Sequence, residues 1–196
     1  MNETKKEKMI RYLLIVFFIM LVLFGFSYRQ EQLPISESTH PPQAIVLHAS
    51  IYEKDNPVIV LYEHKNDQHT LGIYEINKDD HYKFTTKHAV KLSFPIEQLS
   101  LDISTDGFWA KSHEKWLYFN PSLQEEKRNI NTLNKNNPYI TPFIFRKDEA
   151  TIALNEKQSI SLSKEETPVE LHALSNDQQL WLIVTEKNVK IATIIP

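Results

Sequence analysis

Eight histidines, at positions 40, 48, 64, 69, 81, 88, 113 and 172, are the first residues to test for chemistry. Three or four imidazoles brought together would bind a transition metal. No pair has the H-E-x-x-H spacing or the Cys/His spacing of a zinc finger. His64 and His69 flank a predicted turn, and His81 and His88 fall on the strand expected next. Convergence across adjacent hairpins is therefore the only route to a site. Half-exposed strand residues are the simpler reading, and no metal or other cofactor is expected. Carboxylates can pair for glycoside cleavage when they face each other across a cleft. Asp102 with Asp106, or Asp79 with Asp80, are candidates by proximity alone, and acids of this kind ordinarily build turns. No serine sits in G-x-S-x-G. The chain has no cysteine, so thiol catalysis, thiolate metal sites and disulfides are excluded. Three isolated glycines, at 25, 72 and 107, cannot form a phosphate-binding loop. The aromatic residues are more informative. Trp109, Trp116 and Trp181 fall in hairpins with Phe108, Tyr118 and Phe119. Most of these rings suit a core, but Gly107-Phe108-Trp109 follows a turn directly. Phe108 and Trp109 are accordingly the candidate partner-binding residues.

The elements that would carry these side chains are strands. From Ala44 onward, short β-branched and aromatic runs alternate with polar breaks. Clear runs are 58–62, 71–76, 116–119, 151–154, 159–162, 180–184 and 189–194. Turn signals fall at Lys65-Asn66-Asp67, Asn77-Lys78-Asp79-Asp80, Asp106-Gly107, Asn155-Glu156-Lys157, Asn176-Asp177 and Lys187-Asn188. Eleven to thirteen strands are expected, mainly in antiparallel hairpins, and the only helical candidate is short, around 121–127. With so few glycines, the turns must rest on Asn, Asp and Pro.

One pattern recurs. Its copies are Ile103-Ser-Thr-Asp106-Gly-Phe-Trp-Ala, Phe145-Arg-Lys-Asp148-Glu-Ala-Thr-Ile-Ala and Leu174-Ser-Asn-Asp177-Gln-Gln-Leu-Trp-Leu. A looser fourth copy is His64-Lys-Asn-Asp67-Gln-His-Thr-Leu-Gly-Ile. Successive Asp residues lie 39, 42 and 29 positions apart. Repeats near this length, each a small β-meander, mark propellers and related arrays. The Ser104-Thr-Asp106-Gly107 copy resembles the S-x-D-G hairpin of TolB-like and WD40-like β-propellers over about a dozen residues, and the other copies lack the glycine. That resemblance implies a propeller-like or partial propeller domain. The remaining length is short for the usual six or seven blades, and a β-sandwich is the alternative.

The segment from Met9 to Tyr28, MIRYLLIVFFIMLVLFGFSY, says where the domain is held. At about 1.5 Å per residue it spans roughly 30 Å, the thickness of a bilayer's hydrocarbon core. Arg11 is its only charge and lies close enough to one end to reach the headgroups. Lys5, Lys6 and Lys8 precede it, and Arg29 alone follows before Lys54. This bias sets the N-terminus in the cytoplasm and the C-terminal domain outside. The expected plan is a cytoplasmic tail over 1–8, a single-pass signal-anchor helix over 9–28, a proline-containing linker over 29–43 and an extracytoplasmic all-β domain over 44–196. A cleaved signal peptide ending at Gly25-Phe26-Ser27 is the competing reading, and would release a secreted β-protein.

The chain carries 22 basic and 25 acidic residues. Beyond the first 11 residues, 18 basic and 23 acidic remain, a net of −5. A mildly acidic domain does not suit a nucleic-acid partner. The expected function is a non-enzymatic binding or regulatory module of the cell envelope, anchored by one membrane span and contacting an envelope protein or wall component. The alternative is an envelope hydrolase or carbohydrate-acting enzyme, with its site at a ring centre or sheet edge.

Overall fold

A computed structural model describes residues 41–50, 55–134, 136–155 and 158–194. The expected helix over 9–28, its tail and nearly all of the linker lie outside these residues. Among the described residues no helix is long and apolar enough to cross a membrane.

The described chain is all-β. Its fourteen strands form four antiparallel sheets, each a meander of consecutive strands. The first sheet comprises β1 (Gln43–His48), β2 (Val58–Lys65), β3 (Gln68–Asn77) and β4 (Lys83–Leu92). The second comprises β5 (Gln98–Leu101), β6 (Phe108–Ser112), β7 (Lys115–Phe119) and β8 (Glu125–Glu126). The third comprises β9 (Ile144–Arg146), β10 (Thr151–Ala153) and β11 (Ser159–Ser161). The fourth comprises β12 (Pro168–Ala173), β13 (Leu180–Thr185) and β14 (Val189–Thr193). Each sheet keeps two edge strands, so none closes on itself. Where a short helix was expected around 121–127, the chain makes a turn and the short strand β8. The helical element among the described residues is instead a single 3-10 turn, Ile130–Thr132.

The sheets pack face to face in an order that differs from their order in the chain. Ile45, Val60, Tyr62, Leu71 and Ile73 of the first sheet meet Leu99, Phe108, Ala110 and Phe119 of the second. On the opposite face of the first sheet, Ala44, Val46, Ile59, Leu61 and Ile76 meet Leu180, Leu182 and Val184 of the fourth. The other face of the fourth sheet, with Leu171, Trp181 and Ile183, meets Ile152 and Ile160 of the third. The packing order is second, first, fourth, third. A strand covered on both faces must be apolar on both. That is why Val58 to Tyr62 and Leu180 to Val184 read as unbroken apolar runs rather than strict alternation. β4 shows the reverse. It is an outer edge strand with mostly exposed side chains, and so carries lysines and threonines that discourage edge-to-edge pairing.

The second and third sheets, consecutive in the chain, stand at opposite ends of this order. The segment 127–143 joins them, and its described residues run along the open edges of β5 and β12. Ile103 donates its N–H to Thr132 (2.9 Å) and Asn134 donates to Leu101 (2.8 Å). Thr141 donates to Leu171 (2.8 Å) and Ala173 donates to Tyr139 (2.9 Å). Tyr139 itself packs against both cores of the first sheet.

Nine described residues other than glycine adopt positive φ. The two-residue β2–β3 turn uses Asn66 (φ 49°) and Asp67 (φ 58°), types that tolerate the left-handed region. The β6–β7 turn uses His113 (46°), a type that tolerates the left-handed region, and Glu114 (66°), which does not favour it. Gly107 has no positive φ and is needed for space. A Cβ there would lie 2.6 Å from the Phe119 carbonyl and collide with the Tyr118 side chain.

Candidate functional site

Two polar constellations stand out among the described residues. The first is built on Asp102, at the end of β5. Its side chain is fully buried. Oδ1 accepts from the Ser104 N–H (2.9 Å), the Ser104 hydroxyl (2.8 Å) and the Thr105 hydroxyl (3.2 Å). Oδ2 accepts from Trp109 Nε1 (2.9 Å), Arg128 Nε (3.1 Å) and the Thr132 hydroxyl. Burial alone would raise this carboxyl. The bonds from Thr132, Ser104 and Trp109 outweigh burial and hold it well below the usual carboxylate range. Around it, Arg128 lies 4.8 Å over the Tyr118 ring, and Tyr118 shares a 2.7 Å hydrogen bond with Thr105. This acid ties the β5–β6 loop to β6, β7 and the crossing segment, and both of its oxygens are engaged.

Phe108 and Trp109, expected at a rim, lie inside this packing, 0% and 2% exposed. Phe108 stacks on Phe119 at 5.7 Å within the core between the first and second sheets. Trp109 meets Tyr118 edge-on at 5.4 Å and spends its N–H on Asp102. Asp106 is exposed, 3.7 Å from His48, and Asp79 and Asp80 sit exposed in the β3–β4 turn. Asp102 and Asp106 therefore have opposite environments: one acid is buried and saturated, the other is open to solvent.

The histidines are dispersed. His64 and His69 are cross-strand partners with rings stacked at 4.3 Å, and His69 Nδ1 lies 2.8 Å from the Tyr62 hydroxyl. Desolvation and the neighbouring His64 lower the His69 pKa. No group of three or more metal-capable side chains occurs among the described residues.

The second constellation surrounds a cavity of about 640 Å³ where β1, β5 and β12, the first strands of three sheets, meet the crossing segment. That volume suits a small molecule or a few residues of a peptide. Gln43 anchors one wall, with Nε2 donating to the carbonyls of Ile96 (3.2 Å) and Glu97 (2.8 Å). Asn137 forms another wall, its Oδ1 accepting from Tyr139 N–H (3.0 Å). Gln43 Oε1 and Asn137 Nδ2 are buried and meet no partner. Ile140 and Val169, among the few large apolar side chains left exposed in the described chain, both line the cavity. Glu170 lines it too, with its Oε2 3.0 Å from Nε2 of the fully buried His172. A carboxylate oxygen can only accept, so Nε2–H is the donor of this bond, and Nδ1 is left without a partner. A bulge at Val169, between Pro168 and Glu170, locally disrupts the β12 ladder beside the cavity.

Sequence reasoning missed this cavity. Its residues come from five separated segments, and Gln43 was assigned to the linker. The available signal was proline: Pro41, Pro42 and Pro95 all line it. Compared with known proteins, the chain matches no family model, no curated protein and no solved structure.

Proposed function

We propose that the chain is a non-enzymatic binding module, held outside the membrane by the helix over 9–28, and that its cavity between β1, β5 and β12 receives an envelope partner. The observation that carries this reading is the cavity itself. It combines exposed apolar side chains with unmatched amide atoms and a partly open carboxylate, while the most strongly perturbed acid, Asp102, is saturated and has no free lone pair for a substrate. Binding sites have the first character. An acid–base pair needs a group able to exchange a proton with substrate.

We also propose a propeller-like arrangement for the four sheets. Three observations support it: each sheet is one sequential meander, neighbouring sheets pack face to face, and the first strands of three sheets gather at one cavity. The recurring Asp adds to them. Asp106, Asp148 and Asp177 fall in the hairpin between the first and second strands of their sheets, whereas Asp67 of the looser copy falls between the second and third strands of its own. The second and third sheets share no core cluster among the described residues, which suits an open, partial ring.

A photo-crosslinking side chain at Val169, on the cavity, and another at Glu114, in the exposed β6–β7 turn, test the binding reading in intact cells. One adduct of defined mass from position 169 and none from 114 is expected. Equal labelling from both positions, or none from 169, contradicts it.

A further inference from the structure

We propose that the outer edge of β4 is a second docking surface, which takes an extended partner segment of alternating apolar and acidic residues as a fifth strand of the first sheet. The proposal goes beyond the cavity and does not depend on it.

The backbone of β4 is open on one side. β3 bonds to β2 through its even-numbered residues, as the Ile76 N–H donating to the Pro57 carbonyl shows (2.9 Å). Its odd-numbered residues therefore bond to β4, with Leu71 opposite Val90 and Ile73 opposite His88. Alternate residues of β4 turn their N–H and C=O the other way, so those of Ala89 and Lys91 point out from the sheet. β4 is the last strand of that sheet, and both residues are exposed to solvent. No backbone hydrogen bond reaches this side of either residue among the described residues. The bulge at Lys87, between Thr86 and His88, breaks the register, so one continuous open edge runs over 88–92. An extended peptide offers the matching row of donors and acceptors, and a sheet edge binds it through the main chain.

The side chains define the partner. Val90 and Leu92 share the face that packs toward the second sheet and are half-buried at the margin of that core. An apolar partner residue beside Val90 extends the core by one strand. Ala89 and Lys91 lie on the opposite face. β4 carries Lys83, Lys87 and Lys91 and no acid. Lys87 is held by Glu75 (2.5 Å). Lys91 lies in one cross-strand row with Thr70 and Glu63, and Glu63 is already engaged by Lys65 (2.8 Å). Lys91 makes no ion pair among the described residues and is placed to meet an acid on the incoming strand. A second copy of β4 would bring its own lysines to the same edge, and like charges set opposite are unfavourable. The lysines that keep two copies apart thus select an acidic partner.

The test uses the full-length chain in lipid nanodiscs and a fluorescent, end-blocked seven-residue peptide alternating Val and Glu. This peptide should bind roughly tenfold or more tightly than its counterpart with Lys in place of Glu. N-methylation of its Glu amides, which would face Ala89 and Lys91, removes the donors and keeps the charge, and should abolish binding. Ala89→Pro removes an outward N–H that the folded chain does not use, and an edge strand tolerates proline at such a position. It should weaken the Val-Glu peptide roughly tenfold or more without lowering the thermal midpoint. Lys91→Glu should reverse the preference between the Glu and Lys peptides. No binding, equal affinity for the two peptides, or binding that survives N-methylation overturns the proposal. So does polyphosphate that displaces the peptide and binds Ala89→Pro as tightly as the wild type, which would show a plain polyanion site. Should Ala89→Pro prove unstable, the N-methylated peptide on the wild type carries the same test of the backbone ladder. None of these outcomes bears on the crosslinks from position 169, which test the cavity alone.

Discussion

Asp102 is stabilised as an anion by six donors, and this makes it acid-sensitive. Its folded-state pKa is depressed, so between the folded and unfolded values the unfolded chain binds more protons. The stabilisation is fully present above an unfolded value of about 4 and is lost as pH falls toward the lower folded value. Asp102→Asn should cost roughly 3–5 kcal/mol at pH 7, leaving Arg128 and several donors poorly matched. Denaturant midpoints should show the gap between variant and wild type narrowing from pH 7 to pH 3. A gap independent of pH contradicts the assignment. The two buried tryptophans give a sharper contrast. Trp109 donates to Asp102, whereas Trp181 Nε1 is buried with no partner. Trp109→Phe removes a charge-assisted bond as well as area and should cost about 2–3 kcal/mol. Trp181→Phe also removes an orphaned donor, and its loss should be at least 1 kcal/mol smaller, about the penalty of one unmatched group. Thermal unfolding of the two variants side by side reads the difference. What sequence gave at this scale was residue type without environment. The aromatic pair after Gly107 was visible, but not its burial: Phe108 packs against the first sheet, and Trp109 meets Asp102, which Arg128 and Thr132 reach from 26 and 30 residues away.

Strands and turns were legible because their signals are local. The runs at 58–62, 71–76 and 180–184 fall within β2, β3 and β13, and the run at 189–194 overruns β14 by one residue. The turn at Asn66-Asp67 is read from residue types that tolerate positive φ. β4 was harder, since an exposed outer strand has no buried face to impose a period. β12 was harder for another reason: its bulge shifts the register, and Leu171 and His172 are both buried. The β6–β7 turn carries a local conflict. Glu114 holds φ 66° without the side-chain chemistry that eases it. Glu114→Gly should therefore raise stability by about 1 kcal/mol, because glycine removes the left-handed penalty at this position. A rise in the denaturation midpoint with unchanged slope checks it, and a fall would show that the Glu114 side chain makes a contact worth more than the strain.

At the scale of the molecule, stability rests on three stacked interfaces with no disulfide to reinforce them. The first and fourth sheets are covered on both faces, so their central strands, β2 and β13, carry the greatest apolar burial. The packing order was not legible in the sequence. Nothing local records that the second and third sheets stand at opposite ends, or that residues 127–143 bridge them along the edges of β5 and β12. The cavity follows from that long-range arrangement, so its five segments were equally hidden. The span expected over 9–28 is a different case: its length and apolarity are compositional and call on no tertiary information, and it lies outside the described residues.

The central claim is that this β-domain is displayed outside a membrane by an uncleaved helix. The most direct test is the intact mass of the native chain in isolated membranes, before and after protease treatment of wall-stripped cells. The account predicts a full-length, membrane-bound chain that is trimmed to a fragment retaining residues 9–28. A soluble chain beginning near Tyr28, or a membrane-bound chain untouched by external protease, contradicts it.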